Sequence, residues 1–474
     1  MALPSRTRVG AAFVAYFACV CLSASLAPAF AQATAPPVAS SPAAALIAEV
    51  AARSESMRNL EALCDGIGPR MTGSRGLADA QIWAMAALRR YGAVDVHLEA
   101  YELGRPWQRG AASARLLNAN GIALDVVQQA WTEGTGGVVR AELAVLDVKT
   151  LTEFKAAAAA MKGKIVLLVS RPSPTPDQQK NMSQYAADFK LAIRQAGFAA
   201  VLFVSGREGN LLDMWGGPNN PFDRAAGIIS RDHAAMLQRL LAKGVAPRLE
   251  LRLTGGFGKQ PVKAYNVVAD LPGTDADAGT VILGAHLDSW DLSTGATDNG
   301  AGTVVMMEVL RAMHAAGMQP KRRLRVVLFS GEEQGLLGSK AYVAAHRDEL
   351  ASVQAVLVQD AGAGRISGFL DMKVEAWYDA LSAAVAPAAG LGGMDVVYAA
   401  GRGSDHVSFY DAGVPAFPAI QDPLDYFSRT QHSQVDSLEH VKQEDLVQAA
   451  QVMAITAWGF LHGERLPHQA PGKP

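Results

Sequence analysis

Four short apolar runs, Val281 to Ala285, Leu324 to Ser330, Ala355 to Gln359 and Val414 to Ile420, constrain the fold of this chain more than any other feature. Each is rich in Val, Leu or Ile, and helix-length segments separate them, as strands buried on both faces of a largely parallel sheet require. Gly300 to Gly317 and Gln443 to Leu461 carry apolar residues at three- and four-residue steps and are expected as helices. The expected fold is α/β: an open, mostly parallel sheet flanked by helices. Ligands of such sheets sit beyond the carboxyl ends of the strands, and the polar residues of interest gather there.

The first run passes directly into His286-Leu287-Asp288, and Asp298-Asn299-Gly300-Ala301-Gly302 then opens a helix. An imidazole and a carboxylate on one loop rim can reach the same borderline cation. Asp288 is placed to accept the second N–H of His286 and so fix its tautomer. Asp298 suits a helix N-cap as well as a ligand. The second run ends in Gly331-Glu332-Glu333, which alone would read as an ordinary solvated pair. Two further ends change that reading. Ala355 to Gln359 is followed by Asp360, and Gln431-His432-Ser433-Gln434-Val435-Asp436 brings a second histidine with an acid of its own.

His286, Asp298, Glu333, Asp360 and His432 make one donor group more than a tetrahedral structural site needs and too few for two separate sites. An aspartate shared between two ions about 3.5–4 Å apart resolves the count, leaving an open position for a common water. Glu332 then remains as general base beside that water.

The stretches Gly284 to Ser289, Thr297 to Gly302 and Ser330 to Gly335, with Asp360, His432 and Asp436, resemble in order and spacing the motifs of the two-zinc exopeptidases, the family of secreted bacterial leucyl aminopeptidases and carboxypeptidase Q. The resemblance continues through Gly68-Pro69-Arg70-Met71-Thr72-Gly73-Ser74 and Gly403-Ser404-Asp405-His406. It implies two Zn2+, with His286 and Asp360 on one, Glu333 and His432 on the other, and Asp298 bridging. It further implies Glu332 as base and proton shuttle and Asp288 as the group that orients His286. Relatives often place an aromatic or histidine before the last ligand; Gln431 here leaves the metal set intact and bears on substrate preference. For Asp405 and His406 a loop role fits at least as well as a catalytic one. The implied reaction is removal of N-terminal residues from peptides, with a carboxypeptidase Q-like dipeptidase as the alternative on the same metal shell. A glutaminyl cyclase-like acyltransferase, ordinarily a one-zinc enzyme, and a binding scaffold, which should have lost a ligand or base, fit less well.

Half of the 474 residues are apolar and 19% are charged, enough for two packed domains or one with a large insertion. Residues 1–31 combine Arg6 and Arg8, an apolar stretch from Val9 to Leu26 and Ala29-Phe30-Ala31, the pattern of a cleavable export signal. The stretch holds polar residues and falls short of the roughly 20 strongly apolar positions of a bilayer span. A periplasmic or secreted protein without stable membrane insertion is expected. Residues 32–44 read as a linker, 45–120 and 259–463 as the two parts of a peptidase domain, and 464–474 as a tail. Between those parts, 121–258 alternates β-like runs with helical stretches. This insert resembles the protease-associated domain in Gly163 to Leu168 and Ala196 to Val201, and its lone His233, beside Arg231 and Asp232, is expected as a surface or cap histidine. Cys19 and Cys21 fall in the signal, so Cys64 would be the one thiol of the processed chain. With a net charge of −2 and no polybasic block, nucleic acid is not an expected partner. A peptide substrate is; homodimerisation is left open.

Overall fold

The computed structural model describes residues 41–469 apart from 221, 223 and 393. The expected export signal at 1–31, most of the expected 32–44 linker and the end of the expected tail lie outside the described residues. Helix α1 (Pro42–Arg53) starts inside the expected linker because Ser41 accepts a hydrogen bond from the Ala44 N–H and Pro42 fits the first turn, where its missing N–H costs nothing.

The sheet that carries the four apolar runs has eight strands: β1 (Val94–Gly104), β2 (Val262–Leu271), β3 (Thr280–His286), β4 (Arg323–Phe329), β5 (Val353–Val358), β6 (Ile366–Leu370), β7 (Asp395–Val397) and β8 (Ala416–Gln421), in the order β1-β2-β4-β3-β5-β8-β6-β7. Its centre, β4-β3-β5-β8, is parallel. Antiparallel pairs flank that centre, β1 with β2, β2 with β4, and β6 with β8. Every residue of β3 and β5 is buried, which is why both read as continuous apolar runs.

Helix α2 (Ala301–Ala315) joins β3 to β4 on one side of β3, whereas α3 (Leu337–Ala345) joins β4 to β5 on the other. Right-handed crossovers in opposite directions set these helices on opposite faces. Helix α4 (His406–Asp411) packs beside α3, and α5 (Gln443–His462) packs with α1 against α2. Sandwiched in this way, α2 is buried from Ala301 to Met313 and is apolar nearly all round. The chain leaves β3 and β5 in diverging directions, which opens a crevice at their carboxyl ends.

Residues between β1 and β2 build a second eight-stranded sheet, whose parallel centre is Val139–Asp147, Ile165–Ser170, Ala200–Val204 and Ala226–Ile229. It shares a hydrophobic cluster with the first: Met71 and Trp290 pack with Trp107, Trp131, Met214 and Phe222. His233 lies in a helix of this unit, bonded to the Asp125 N–H and to Ser230, a structural role. In the expected tail, Leu466 is buried and the Pro467 carbonyl accepts the Trp377 indole N–H at 2.8 Å, so these residues are part of the fold. No helix among the described residues is long and apolar enough to cross a membrane.

Arg311 on α2 forks onto Glu308 at 2.7 and 2.8 Å and reaches Glu49 of α1 at 2.9 Å, a buried ion cluster that ties α1 to the core. Removing the cation leaves the buried Glu308 carboxylate uncompensated, while Glu49 keeps Arg53. Arg311→Met is expected to lower the unfolding free energy by about 3 kcal/mol or more, as read from urea denaturation monitored by circular dichroism.

Candidate active site

Three adjacent parallel strands deliver donors to one rim: His286 ends β3, Glu332 and Glu333 follow β4, and Asp360 follows β5. His286 Nε2 lies 3.3 Å from Asp298 Oδ1 and 3.2 Å from Asp360 Oδ1. His432 Nε2 lies 3.4 Å from Asp298 Oδ2 and 3.0 Å from Glu333 Oε2. Asp298 therefore turns one oxygen toward each histidine. Donor atoms of His286, Asp298 and Glu333 fall within 4.8 Å of one another, as do those of His286, Glu332 and Asp360. The structure brings together every site residue expected from the sequence, Asp288 included.

Two partner assignments differ from the sequence expectation. His286 Nδ1 lies 2.9 Å from the backbone carbonyl of Asp288, while its carboxylate is 3.7 Å away. The chain curls back over the imidazole, so the main chain fixes the tautomer and directs Nε2 at the carboxylates. The Asp288 carboxylate instead accepts the Thr72 hydroxyl at 2.9 Å and the Glu332 N–H at 3.4 Å. Asp436, expected beside His432, accepts Thr297 N–H at 2.6 Å and Asp298 N–H at 3.2 Å, and so holds the Asp298 loop. The cap of α2 falls to Asn299, whose Oδ1 accepts Gly302 N–H at 3.0 Å; this leaves the Asp298 carboxylate available.

Arg70 and Thr72 stood in a matching motif without an assigned role. The fully buried Arg70 guanidinium donates only to carbonyls, those of Gly68, Leu287, Thr294 and Gly295, and so pins the loop after β3. Thr72 accepts the Gly331 N–H at 3.0 Å while donating to Asp288, which links that loop to the glutamates. Tyr426, buried and lining the same cavity as Asp298, carried no sequence signal at all.

Burial pushes the Glu332 carboxyl well above the usual carboxylate range, and Asp360, Glu333 and Asp405 push it the same way while His286 opposes. Burial, with Asp298 beside it, raises Glu333 to about 7. For His432 burial favours the neutral form, but Glu333 and Asp298 outweigh it and raise the pKa to about 9. His286 behaves alike: burial is overridden by Asp360 and Asp298, which hold it well above the ordinary histidine value. Asp298 Oδ2 and Glu333 Oε1 are buried without a hydrogen-bond partner, and among the described residues no Lys or Arg pairs with Asp298, Glu332, Glu333 or Asp360. Orphaned, clustered carboxylate oxygens facing two imidazoles are a donor set that fits divalent cations.

A cavity of about 320 Å3 opens over these groups, walled by Leu370, Pro418, Tyr426, Phe427 and Gln431 among others. His406 lines it as a buried, neutral imidazole, lowered to about 4 chiefly by burial, with Nε2 2.9 Å from the Gly401 carbonyl. Asp405 is buried behind the glutamates and raised to about 7, first by burial.

A parallel α/β sheet with this donor set at its carboxyl rim defines a metallopeptidase. Residues 266–457 match the family model described as peptidase family M28. It is similar to human carboxypeptidase Q, 27% identical over 415 residues that cover 86% of this chain and 85% of that protein. It is also similar to aminopeptidase YwaD of Bacillus subtilis, 25% identical over 426 residues, 85% and 84% of the two chains. Among solved structures, a peptidase M28 precursor from Shewanella amazonensis superposes with a TM-score of 0.78 at 26% identity, covering 91% of this chain and 98% of that one.

A cation that binds only the folded cluster must stabilise it, by about 4 kcal/mol at a thousandfold excess over Kd. Divalent transition metal added to chelator-treated protein is therefore expected to raise Tm in scanning calorimetry. An unchanged melting curve would rule out a cation at this cluster.

Proposed function

We propose that the protein is an exported zinc exopeptidase that removes N-terminal residues from peptides. One observation carries the reading: Asp298 divides its two oxygens between the His286–Asp360 pair and the His432–Glu333 pair, as a ligand bridging two ions does. His286 and Asp360 would hold one zinc, His432 and Glu333 the other, with imidazole and carboxylate donors that zinc accepts. Bound zinc supplies Lewis acidity, which polarises a peptide carbonyl and acidifies water.

The chain supplies the rest. Glu332, left outside both pairs and lining the cavity, takes the proton of the attacking water and delivers it to the leaving amine. Its raised pKa suits a group that must both accept and return a proton near neutrality. Asp288 steadies Glu332 by accepting its backbone N–H, and orients His286 through its own carbonyl. The composition of residues 1–31 supports export, and the second sheet is read as a protease-associated domain.

Similarity to carboxypeptidase Q over most of both chains favours a second reading, a dipeptidase on the same donor set. Hydrolysis of leucine p-nitroanilide, an unblocked dipeptide and an N-acetylated peptide separates the two. Chelator-sensitive cleavage confined to free amino ends is expected, with kcat falling by about 10²–10⁴ in Glu332→Gln. Dipeptide cleavage without anilide turnover selects the dipeptidase, and no hydrolysis by zinc-loaded protein defeats both.

A further inference from the structure

The turn that carries His432 is held by both sheets. His432 itself has φ +59°, a region that non-glycine residues occupy sparsely and keep only when their surroundings hold them there. From the peptidase side the turn is tied through the Thr297 hydroxyl to Thr430 at 2.9 Å and through Gln431 N–H to the Tyr426 carbonyl at 3.0 Å. The Trp290 ring also packs edge-on against His432, and further ties come from the second sheet, where the strand Ala200–Val204 runs out into residues 205–213. Arg207 donates to the Phe427 carbonyl, to the Gln431 carbonyl at 2.8 Å and to Gln431 Oε1 at 3.2 Å. Leu212 N–H donates to Gln434 Oε1 at 2.7 Å, Gln434 Nε2 reaches the Asn210 carbonyl at 3.4 Å, and Asp213 forms a β-bridge with Ser433. These contacts fall on residues 427, 431, 433 and 434, on both sides of the histidine. A few residues on, Gly217 lies so close to the Gln334 backbone, next to Glu333, that a Cβ there would stand 3.1 Å from the Gln334 carbonyl oxygen.

Arg207 has no acidic partner among the described residues; both terminal guanidinium nitrogens donate to this turn, while Nε is buried without a hydrogen-bond partner. The His286–Asp360 pair, by contrast, is fixed by β3, β5 and the main chain of Asp288, with no contribution from residues 205–213.

We propose that Arg207 is a positioning residue for the His432–Glu333 half of the metal centre, through which the second sheet sets the affinity of one ion and not the other. This rests on the two-ion reading above. A donor held from outside the coordination sphere typically changes metal affinity by about 10–100-fold when its support is removed.

The test is zinc titration of purified full-length protein against a chromophoric chelator, with the visible spectrum of the cobalt-substituted form as a second readout. Wild type is expected to take two equivalents; a single equivalent overturns the two-ion reading and this proposal with it. Arg207→Met should retain one equivalent at wild-type affinity, weaken the other about 10–100-fold and alter one set of cobalt bands. Arg207→Lys, which can still donate to carbonyls, should recover part of that loss. Arg140→Met, which removes an ion pair with Glu250 elsewhere in the second sheet, should match wild type. If Arg207→Met does not fold by circular dichroism, Gln434→Ala cuts the same clasp from the peptidase side and should weaken the same equivalent. Two equivalents at wild-type affinity in the folded variant, or equal weakening of both, overturns the proposal.

Discussion

Carboxylates crowd this crevice faster than the chain supplies cations to match them. Asp298, Glu332, Glu333 and Asp360 converge on two imidazoles, and Asp288, Asp405 and Asp436 stand buried behind them. At such separations in a poorly solvated setting, like charges cannot all ionise without compensation. Raised carboxyl pKa values at Glu332 and Glu333, and raised imidazole values at His286 and His432, express that tension. Much of the surrounding architecture holds the donors in place despite it. Buried strands fix their origins, Arg70 fastens the loop after β3 through carbonyls alone, and Thr72 and Asp288 brace the backbone at Glu332.

Adjacent residues divide the work at the Asp298 loop. A lone aspartate ahead of α2 would be drawn into capping the helix, but Asn299 performs that task and Asp436 takes the loop's N–H groups. The Asp298 carboxylate is thereby released toward both histidines. A chemically demanding residue is kept available because its neighbours meet the local needs of the backbone.

The central strands were legible because burial on both faces forces unbroken apolar runs, and the donors other than His432 were legible because each follows such a run or opens the next helix. Antiparallel pairing at β1 and β2 was not legible, since side-chain periodicity carries no strand direction. The partners of Asp288 and Asp436 were misread for a related reason: proximity in sequence suggested the nearest histidine, whereas loop curvature gives that histidine a carbonyl and sends the carboxylates elsewhere. The family resemblance named the donor roles and no spacing could find the groups around them. Arg207 lies in a loop after a strand of the second sheet, far in sequence from the histidine whose turn it holds, and nothing in its own neighbourhood in the chain marks it.

The short ribbon in which Trp107 pairs with Phe257 joins the two ends of the second sheet. Strand β1 is synthesised before that whole sheet and its partner β2 only after it, so their pairing would close a very long loop if the intervening chain were a coil. Once folded, the intervening unit already holds its own entrance and exit side by side. The effective loop then shrinks to a few residues, and the slow, nonlocal step of assembling the first sheet becomes nearly as local as a hairpin.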